Sequence, residues 1–299
     1  MIRITAAFSD MHWGGPDHMP RVRQSILNAI IDAVAEIAQR GEVEVQPVSN
    51  GDLCVGSGIW RSQIWQQIMP DAAWQAWGVA YIWAQWHRRL AQVCEVKRAK
   101  VVKGNHDRDA AGGCLASAAS FDLNTLGVPA TFVGTETTVN LAPDGAEPSS
   151  CLFEHGYGMS AYYPMSYSLL RNTEKKMLTY TAMDATVTRG CFGHSHWLFT
   201  GYALTPFHHL DCLGGMQRND RAQIGRGVRS SGAILYVHDG ERLDVVEIEP
   251  AREALIADLR DGHLEGNNRH EIADVMDEVM RWMEVHGYIE PDVIAKAAV

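Results

Sequence analysis

The sequence has no apolar run near the roughly 20 residues a membrane-crossing helix needs, so no membrane partner is expected. It has no Cys-x-x-Cys pair. Its six cysteines, at 54, 94, 114, 151, 191 and 212, are scattered through apolar segments. That scatter reads as reduced, buried thiols rather than a secreted disulfide scaffold, and favours a cytoplasmic location. The first ten residues lack a basic flank followed by a long apolar stretch, so no secretory signal is read there. There is no repeat of solenoid period and no long Pro/Gly/Ser linker. Basic residues are in the minority, 26 Lys and Arg against 36 Asp and Glu, for a net charge of −10. A broad basic face that coats duplex DNA is therefore not expected. The deficit is uneven: residues 250–299 hold eleven acids and five bases, which leaves −4 for residues 1–249 and room for a local cationic groove there.

What remains is a globular composition, 46% hydrophobic and 21% charged over 299 residues. That length suits one large domain or two small ones and can bury a substantial core. Ile2 to Phe8 and Val43 to Val48 read as strands. Between them Arg21 to Arg40 is apolar at Ile26, Ile30, Val34 and Ile37, a helical spacing. Residues 59–97 read as mostly helix, broken at Pro70-Asp71, and Lys100 to Lys103 opens another strand. Strands alternating with helices imply crossover units and a largely parallel α/β sheet. In the second half Thr131 to Leu141 and Ser150 to Glu154 read as strands around a Pro143-Asp144-Gly145 turn, and residues 164–189 as a helix. Cys191 to Trp197, Phe207 to Cys212, Ala233 to His238 and Leu243 to Ile248 read as strands, the last two joined by an Asp239-Gly240 hairpin turn. The expected division is an α/β body over residues 1–249 and an acidic helical extension over residues 250–299.

The chemistry gathers where strands end. In order come Asp10-Met11-His12, Gly51-Asp52, Gly104-Asn105-His106-Asp107, Glu154-His155-Gly156 and Gly193-His194-Ser195-His196. Each alone is weak: Gly-Asp is commonly a turn, and a lone histidine is commonly structural. Five in series, each beyond a strand, point to a metal centre, because open α/β sheets place their sites past the carboxyl ends of strands. Residues two apart in a strand share a face, so Asp10 with His12, and His194 with His196, are each expected to present two ligands. Imidazole, carboxylate and amide oxygen without thiolate suit Mn²⁺ foremost, with Fe²⁺, Zn²⁺ and Ni²⁺ as the other candidates. Seven such residues can serve two ions if one carboxylate is shared.

This ordered series resembles the calcineurin-like metallophosphoesterases. The resemblance covers residues 10–196 and extends through the strands to residue 248. It implies a four-layer β-sandwich flanked by helices, with the C-terminal helices as an appendage. It also implies that Asp10, His12, Asp52 and His196 hold one divalent ion, and that Asp52, Asn105, His155 and His194 hold the other, with Asp52 bridging. His106 would stand beside the leaving group as the catalytic acid. The implied reaction is hydrolysis of a phosphate ester by attack of a hydroxide that bridges the metals. Two positions depart from the pattern. Many protein phosphatases of the family carry Gly-Asp-x-x-Asp, in which the second Asp orients the catalytic His; here that position is Val55. Asp107 stands where the phosphoprotein phosphatases usually carry Glu. Both departures lean toward the phosphodiesterase and nuclease branches.

For the substrate, Tyr157, Tyr162, Tyr163 and Tyr167 follow His155 and either stack on a nucleobase or pack the next helix, with packing the preferred reading. Arg218, Arg221, Arg226 and Arg229 lie in a glycine-rich stretch that reads equally as a phosphate-binding loop or a solvated one. Six tryptophans crowd residues 60–86; a core role is preferred over a lid or a homo-oligomer surface. Ile272, Val275, Met276, Val279, Met280 and Met283 form one apolar helix face, read as packing on the body or as a dimer surface. The expected function is a metal-dependent phosphodiesterase acting on a nucleotide or single-stranded nucleic acid. A phosphomonoesterase and a non-catalytic metal-binding scaffold are the rivals.

Overall fold

The fold was analysed in a computed structural model, which describes residues 1–57, 67–69, 71–156, 167–184, 186–194, 196–205, 208–216, 231–260 and 264–289. The strands are β1 (Ile2–Phe8), β2 (Val43–Asn50), β3 (Glu95–Val96), β4 (Ala99–Val102), β5 (Ala130–Phe132), β6 (Glu136–Asn140), β7 (Ser150–Glu154), β8 (Val187–Phe192), β9 (Phe199–Thr205), β10 (His208–Cys212), β11 (Ala233–His238) and β12 (Leu243–Ile248). The helices are α1 (Pro20–Ala38), α2 (Ala72–Leu90), α3 (Leu115–Thr125), α4 (Tyr167–Met183), α5 (Arg252–Arg260) and α6 (Leu264–Val285). Pro20 opens α1, where its missing N–H costs nothing. Asp71 caps α2 by accepting from the Trp74 N–H at 3.1 Å.

Two sheets form. The larger runs β12-β11-β1-β2-β4-β5, with β3 also paired to β2; the smaller runs β6-β7-β8-β10-β9. β1, β2, β4 and β5 are mutually parallel, and the β11–β12 hairpin adds antiparallel strands at one edge. In the smaller sheet β7, β8 and β10 are parallel, flanked by antiparallel β6 and β9.

Strand alternation builds the layers. Ile4, Ala6 and Phe8 of β1, with Ala99 and Val101 of β4 and Ala233 and Leu235 of β11, face a core shared with α1, α2, α3 and α6. Ala7, Val102, Ile234 and Tyr236 point the other way, onto Val139, Cys151, Phe153 and Cys191 of the smaller sheet. That sheet's outer face packs Leu152 and Val187 on Met177 of α4. The result is the expected four-layer order: helices, sheet, sheet, helix.

Trp83 and Trp86 of α2 lie in this core, with Trp74 and Trp77 packed against it; Trp60 and Trp65 fall outside the described residues. On α6, Ile272, Met276, Val279 and Met283 are buried in the same core, so its apolar face packs on the body. All six cysteines are free thiols. No described helix is long and apolar enough to cross a membrane.

Several boundaries differ from expectation. Residues 131–141 are not one strand: Gly134, at φ +84°, turns the chain out of β5 and into β6 of the other sheet. The helix expected to reach 189 ends at Met183, and β8 begins at Val187 rather than Cys191. Residues 94–97 hold a short strand instead of a helix end. Helix α3 and strand β9 had no clear sequence signal.

Candidate metal centre

The expected ligands converge. Parallel β1, β2 and β4 end at Asp10, Asp52 and Asn105, while β7 and β8 of the facing sheet end at His155 and His194. Asn50 ties the two rims together. Its buried Nδ2 donates to the Glu154 and Cys191 carbonyls, each at 3.0 Å. The ends of β7 and β8 are thereby fixed to the end of β2.

Three groups place ligand atoms within 4.8 Å of one another: Asp10, His12 and His196; Asp52, His155 and His194; and His12, Asp52 and His106. His196 Nε2 lies 3.0 Å from Asp10 Oδ1, and His155 Nε2 lies 2.8 Å from Asp52 Oδ2. His12 Nε2 sits 3.7 Å from Asp10 Oδ1 and 3.6 Å from Asp52 Oδ2, between the two.

The two residues of each Asp-x-His or His-x-His pair do not share a strand face. Asp10, His12, Asp52, His194 and His196 lie beyond the strand ends with φ between +48° and +64°, in the left-handed region. The chain turns sharply there and folds each side chain back over the sheet rim. Backbone bonds brace the turns: Asp10 N–H donates to the Gly51 carbonyl, and His12 N–H to the Asp52 carbonyl, both at 3.0 Å. Close approach also requires glycine. A Cβ on Gly104 would lie 2.0 Å from Asp52 Oδ1, and one on Gly51 2.6 Å from His155 Nδ1.

Each carboxylate divides its oxygens. Asp10 Oδ2 accepts from the His194 N–H at 3.0 Å, and Asp52 Oδ1 from the His106 N–H at 2.7 Å. The other oxygens, Asp10 Oδ1 and Asp52 Oδ2, are buried with no hydrogen-bond partner, as are His12 Nε2, His155 Nε2 and Asn105 Oδ1. His155 Nε2 and Asp52 Oδ2 touch without aligning as donor and acceptor, as two ligands aimed at a common point would. The orphaned atoms on Asp10, His12, Asp52 and His155, each within 3.8 Å of another of the group, need a shared partner. A divalent cation fits a donor set of imidazole, carboxylate and amide oxygen.

The tautomers agree. His155 Nδ1 donates to the Asn50 carbonyl at 2.7 Å, so in the neutral ring Nε2 keeps its lone pair toward the centre. Burial opposes charge on His155, but Asp52 and Asp10 outweigh it and raise its pKa to about 10. Burial likewise opposes charge on Asp10, yet His196 and His155 hold it well below the usual carboxylate range. Asp52 is lowered too, by His155 and His106 against burial. Burial brings His12 down to about 4, and burial with His155 does the same for His194. Without metal, then, a proton on His155 balances the acids.

His106 lies beside this group, its ring 4.6 Å centre to centre from that of His12. Val55 offers no carboxylate, but its backbone carbonyl accepts from His106 Nδ1 at 3.1 Å. Asp107 turns away from the centre and braces the loop, accepting from the Gly104 N–H at 2.8 Å and the Cys54 N–H at 3.1 Å. Burial and the nearby Asp52 raise it to about 7. Sequence reasoning missed Asn50 and Ser9, whose hydroxyl donates to the Asn50 carbonyl at 3.0 Å; their places next to Gly51-Asp52 and Asp10 were the available signal. Tyr157, Tyr162, Tyr163, Arg218, Arg221, Arg226 and Arg229 fall outside the described residues, as does the side chain of Tyr167.

No family model matches the chain, and no curated protein matches it. Among solved structures it is similar to a predicted phosphoesterase from Streptococcus pneumoniae, at 14% identity over 83% of this chain and 90% of that one, TM-score 0.33. It is similar to zinc-complexed Vps29 from Entamoeba histolytica, at 12% identity over 82% and 99%, TM-score 0.37. A putative 5′-nucleotidase from Staphylococcus aureus shares 11% identity over 90% of this chain and 58% of that one, TM-score 0.41. In its two facing sheets between helices, and in the order of the ligand side chains at their rims, the chain resembles the calcineurin-like metallophosphoesterases.

Proposed function

We propose that the protein is a metal-dependent phosphoesterase with a dinuclear centre, a phosphodiesterase acting on a nucleotide or single-stranded nucleic acid. The carrying observation is the set of orphaned ligand atoms on Asp10, His12, Asp52, Asn105 and His155. Unpaired polar atoms buried together call for a bound cation; a metal-binding scaffold shares that feature, and turnover separates the two. Asp10, His12 and His196 would hold one ion, Asn105, His155 and His194 the other, with Asp52 between them. Two divalent ions there, Mn²⁺ foremost, supply Lewis acidity: an attacking water at neutral pH and charge neutralisation for the phosphate oxygens.

The chain supplies the rest. Asn50 and Ser9 fix the rim that carries His155. His106 keeps the Nδ1 proton on the Val55 carbonyl and presents Nε2; when that atom is also protonated it donates to the departing oxygen. Val55 in place of a second Asp supports the diester reading. In this reading residues 1–249 are the catalytic body, followed by helices α5 and α6.

The test is to strip the protein of metal, restore Mn²⁺, and compare turnover of bis(p-nitrophenyl) phosphate with p-nitrophenyl phosphate. Diester preference is expected. A monoester preference would move the assignment to a phosphomonoesterase, and two bound metals with neither ester hydrolysed would favour a scaffold. In the active protein His106→Ala lowers kcat by roughly 10²- to 10⁴-fold with metal content retained; loss of metal in that variant would make His106 a ligand instead.

A further inference from the structure

The Val55 carbonyl that receives the His106 Nδ1–H belongs to the same peptide group as the Gly56 N–H. That N–H donates at 2.9 Å to Gln75 Oε1. One planar amide therefore lies between two side chains, with its hydrogen on Gln75 and its oxygen on the imidazole. Gln75 is fully buried in the first turn of α2. Its Nε2 donates to the Met69 carbonyl at 2.7 Å, so both ends of its amide are committed and the oxygen must face Gly56.

The segment is gripped on its other sides. Gln67 Nε2 donates to the Gly56 carbonyl. Val55 N–H donates to the Trp13 carbonyl at 3.0 Å, and Ser57 N–H to the Arg108 carbonyl at 2.8 Å. Gly56 has φ +67°, and a Cβ there would lie 1.7 Å from the His106 carbonyl oxygen. Residues 55–57 thus lie directly on the His106 segment, and only glycine allows it.

We propose that Gln75 is a positioning residue for His106, acting through the Val55–Gly56 peptide as a glutamine–amide–imidazole relay. The proposal rests on the reading of His106 as the group beside the leaving oxygen. A carbonyl can only accept, so the relay keeps the ring proton on Nδ1 and presents Nε2 in one orientation. The bond from Gly56 to Gln75 polarises the amide and strengthens its carbonyl as an acceptor. The relay is also neutral. A carboxylate at position 55 would add a third buried acid beside Asp52 and Asp107, both already within 1% of full burial. A glutamine reaching through a peptide fixes the imidazole without that repulsion.

Gln75→Met keeps the volume and removes the acceptor. With Mn²⁺ restored and bis(p-nitrophenyl) phosphate as substrate, Gln75→Met is expected to lower kcat by roughly 10- to 100-fold with KM and metal content unchanged. In a His106→Ala background Gln75→Met costs nothing further, because there is no ring left to orient. A second readout needs no turnover. In Zn²⁺-loaded protein the ring ¹⁵N shifts of His106, identified by their loss in His106→Ala, report the Nδ1-protonated tautomer, and Gln75→Met mixes the two tautomers. Should Gln75→Met not fold, Gln75→Asn, one methylene too short to reach Gly56, replaces it. An unchanged kcat and tautomer, or an equal loss in the His106→Ala background, would overturn the relay. A wild type inert toward both esters would instead sink the phosphoesterase reading, and the tautomer measurement would still decide the relay.

Discussion

From β2, Asn50 hydrogen-bonds to both β7 and β8, and removing its amide should loosen the two sheets at the rim that carries the ligand candidates. Each of its two hydrogen bonds is 3.0 Å long and buried. A buried hydrogen bond contributes about 1 kcal/mol net, and an acceptor left unpaired costs about 1–3 kcal/mol. Asn50 Oδ1 is itself without a partner, so Asn50→Ala also removes one standing cost. The balance is a loss of about 2–4 kcal/mol, a large share of a typical domain's stability of about 5–15 kcal/mol. Asn50→Asp should do worse than alanine, since it aims carboxylate oxygens at two carbonyl oxygens. The assay is urea unfolding of the metal-free proteins followed by circular dichroism, with midpoints compared at equal slope. A loss under about 0.5 kcal/mol for Asn50→Ala, within the range of an ordinary surface change, would refute the clamp. An aspartate variant as stable as the alanine variant would show that the amide does not donate to Glu154 and Cys191.

Three further outcomes follow from the same geometry. His155, raised to about 10, is protonated at pH 7 in the metal-free protein and must be neutral to ligate. Metal binding at pH 7 should therefore release about one proton from this residue, and affinity should climb about tenfold per pH unit toward pH 10; calorimetry in buffers of different ionisation enthalpy reads the proton directly, and no release would place His155 neutral. Gly104→Ala, whose Cβ meets Asp52 Oδ1 at 2.0 Å, should displace the shared carboxylate and lose metal at concentrations that saturate wild type, as read by elemental analysis after gel filtration. Burial raises Asp122 to about 7, so the folded state holds its proton more tightly than the unfolded chain does. Its contribution to stability is then greatest at low pH and falls as pH rises from about 4 to 7, by at most about 4 kcal/mol. Asp122→Asn should remove that decline, so that its melting temperature gains on wild type between pH 5 and pH 8; parallel curves would contradict the assignment.

The ligand candidates were legible because metal chemistry admits few residue types and the fold presents them at strand ends. Asp10, His12, Asp52, Asn105, His155, His194 and His196 were picked out by the order of the clusters together with the family resemblance. Their geometry was not legible. Strand periodicity suggested that His194 and His196 share a face, whereas both lie past Phe192 in left-handed turns that periodicity does not encode. Residues 131–141 read as one strand because a single glycine, Gly134, interrupts β-forming residues; that the chain changes sheets there depends on tertiary packing. Helix α3, Leu-Ala-Ser-Ala-Ala-Ser in its first half, is too uniformly small to show an apolar stripe. The partner of His106 was illegible for a different reason. A backbone carbonyl has no identity in the sequence, and Val55 supplies its main chain where a side chain was sought.

Five non-glycine residues among those described adopt a left-handed backbone, and all five are ligand candidates. That conformation costs most L-residues about 1–2 kcal/mol each, and Asn, Asp and His bear it best after glycine. The backbone therefore screens replacements before any ion does. A β-branched or bulky residue at position 12 or 194 is rejected for its φ angle, while the tolerated exchanges among Asn, Asp and His remain metal donors. Drift at these positions exchanges nitrogen and oxygen ligands, which moves preference between softer and harder ions, more readily than it discards the site. At the proposed centre the turn geometry makes metal preference adjustable while protecting the capacity to bind metal.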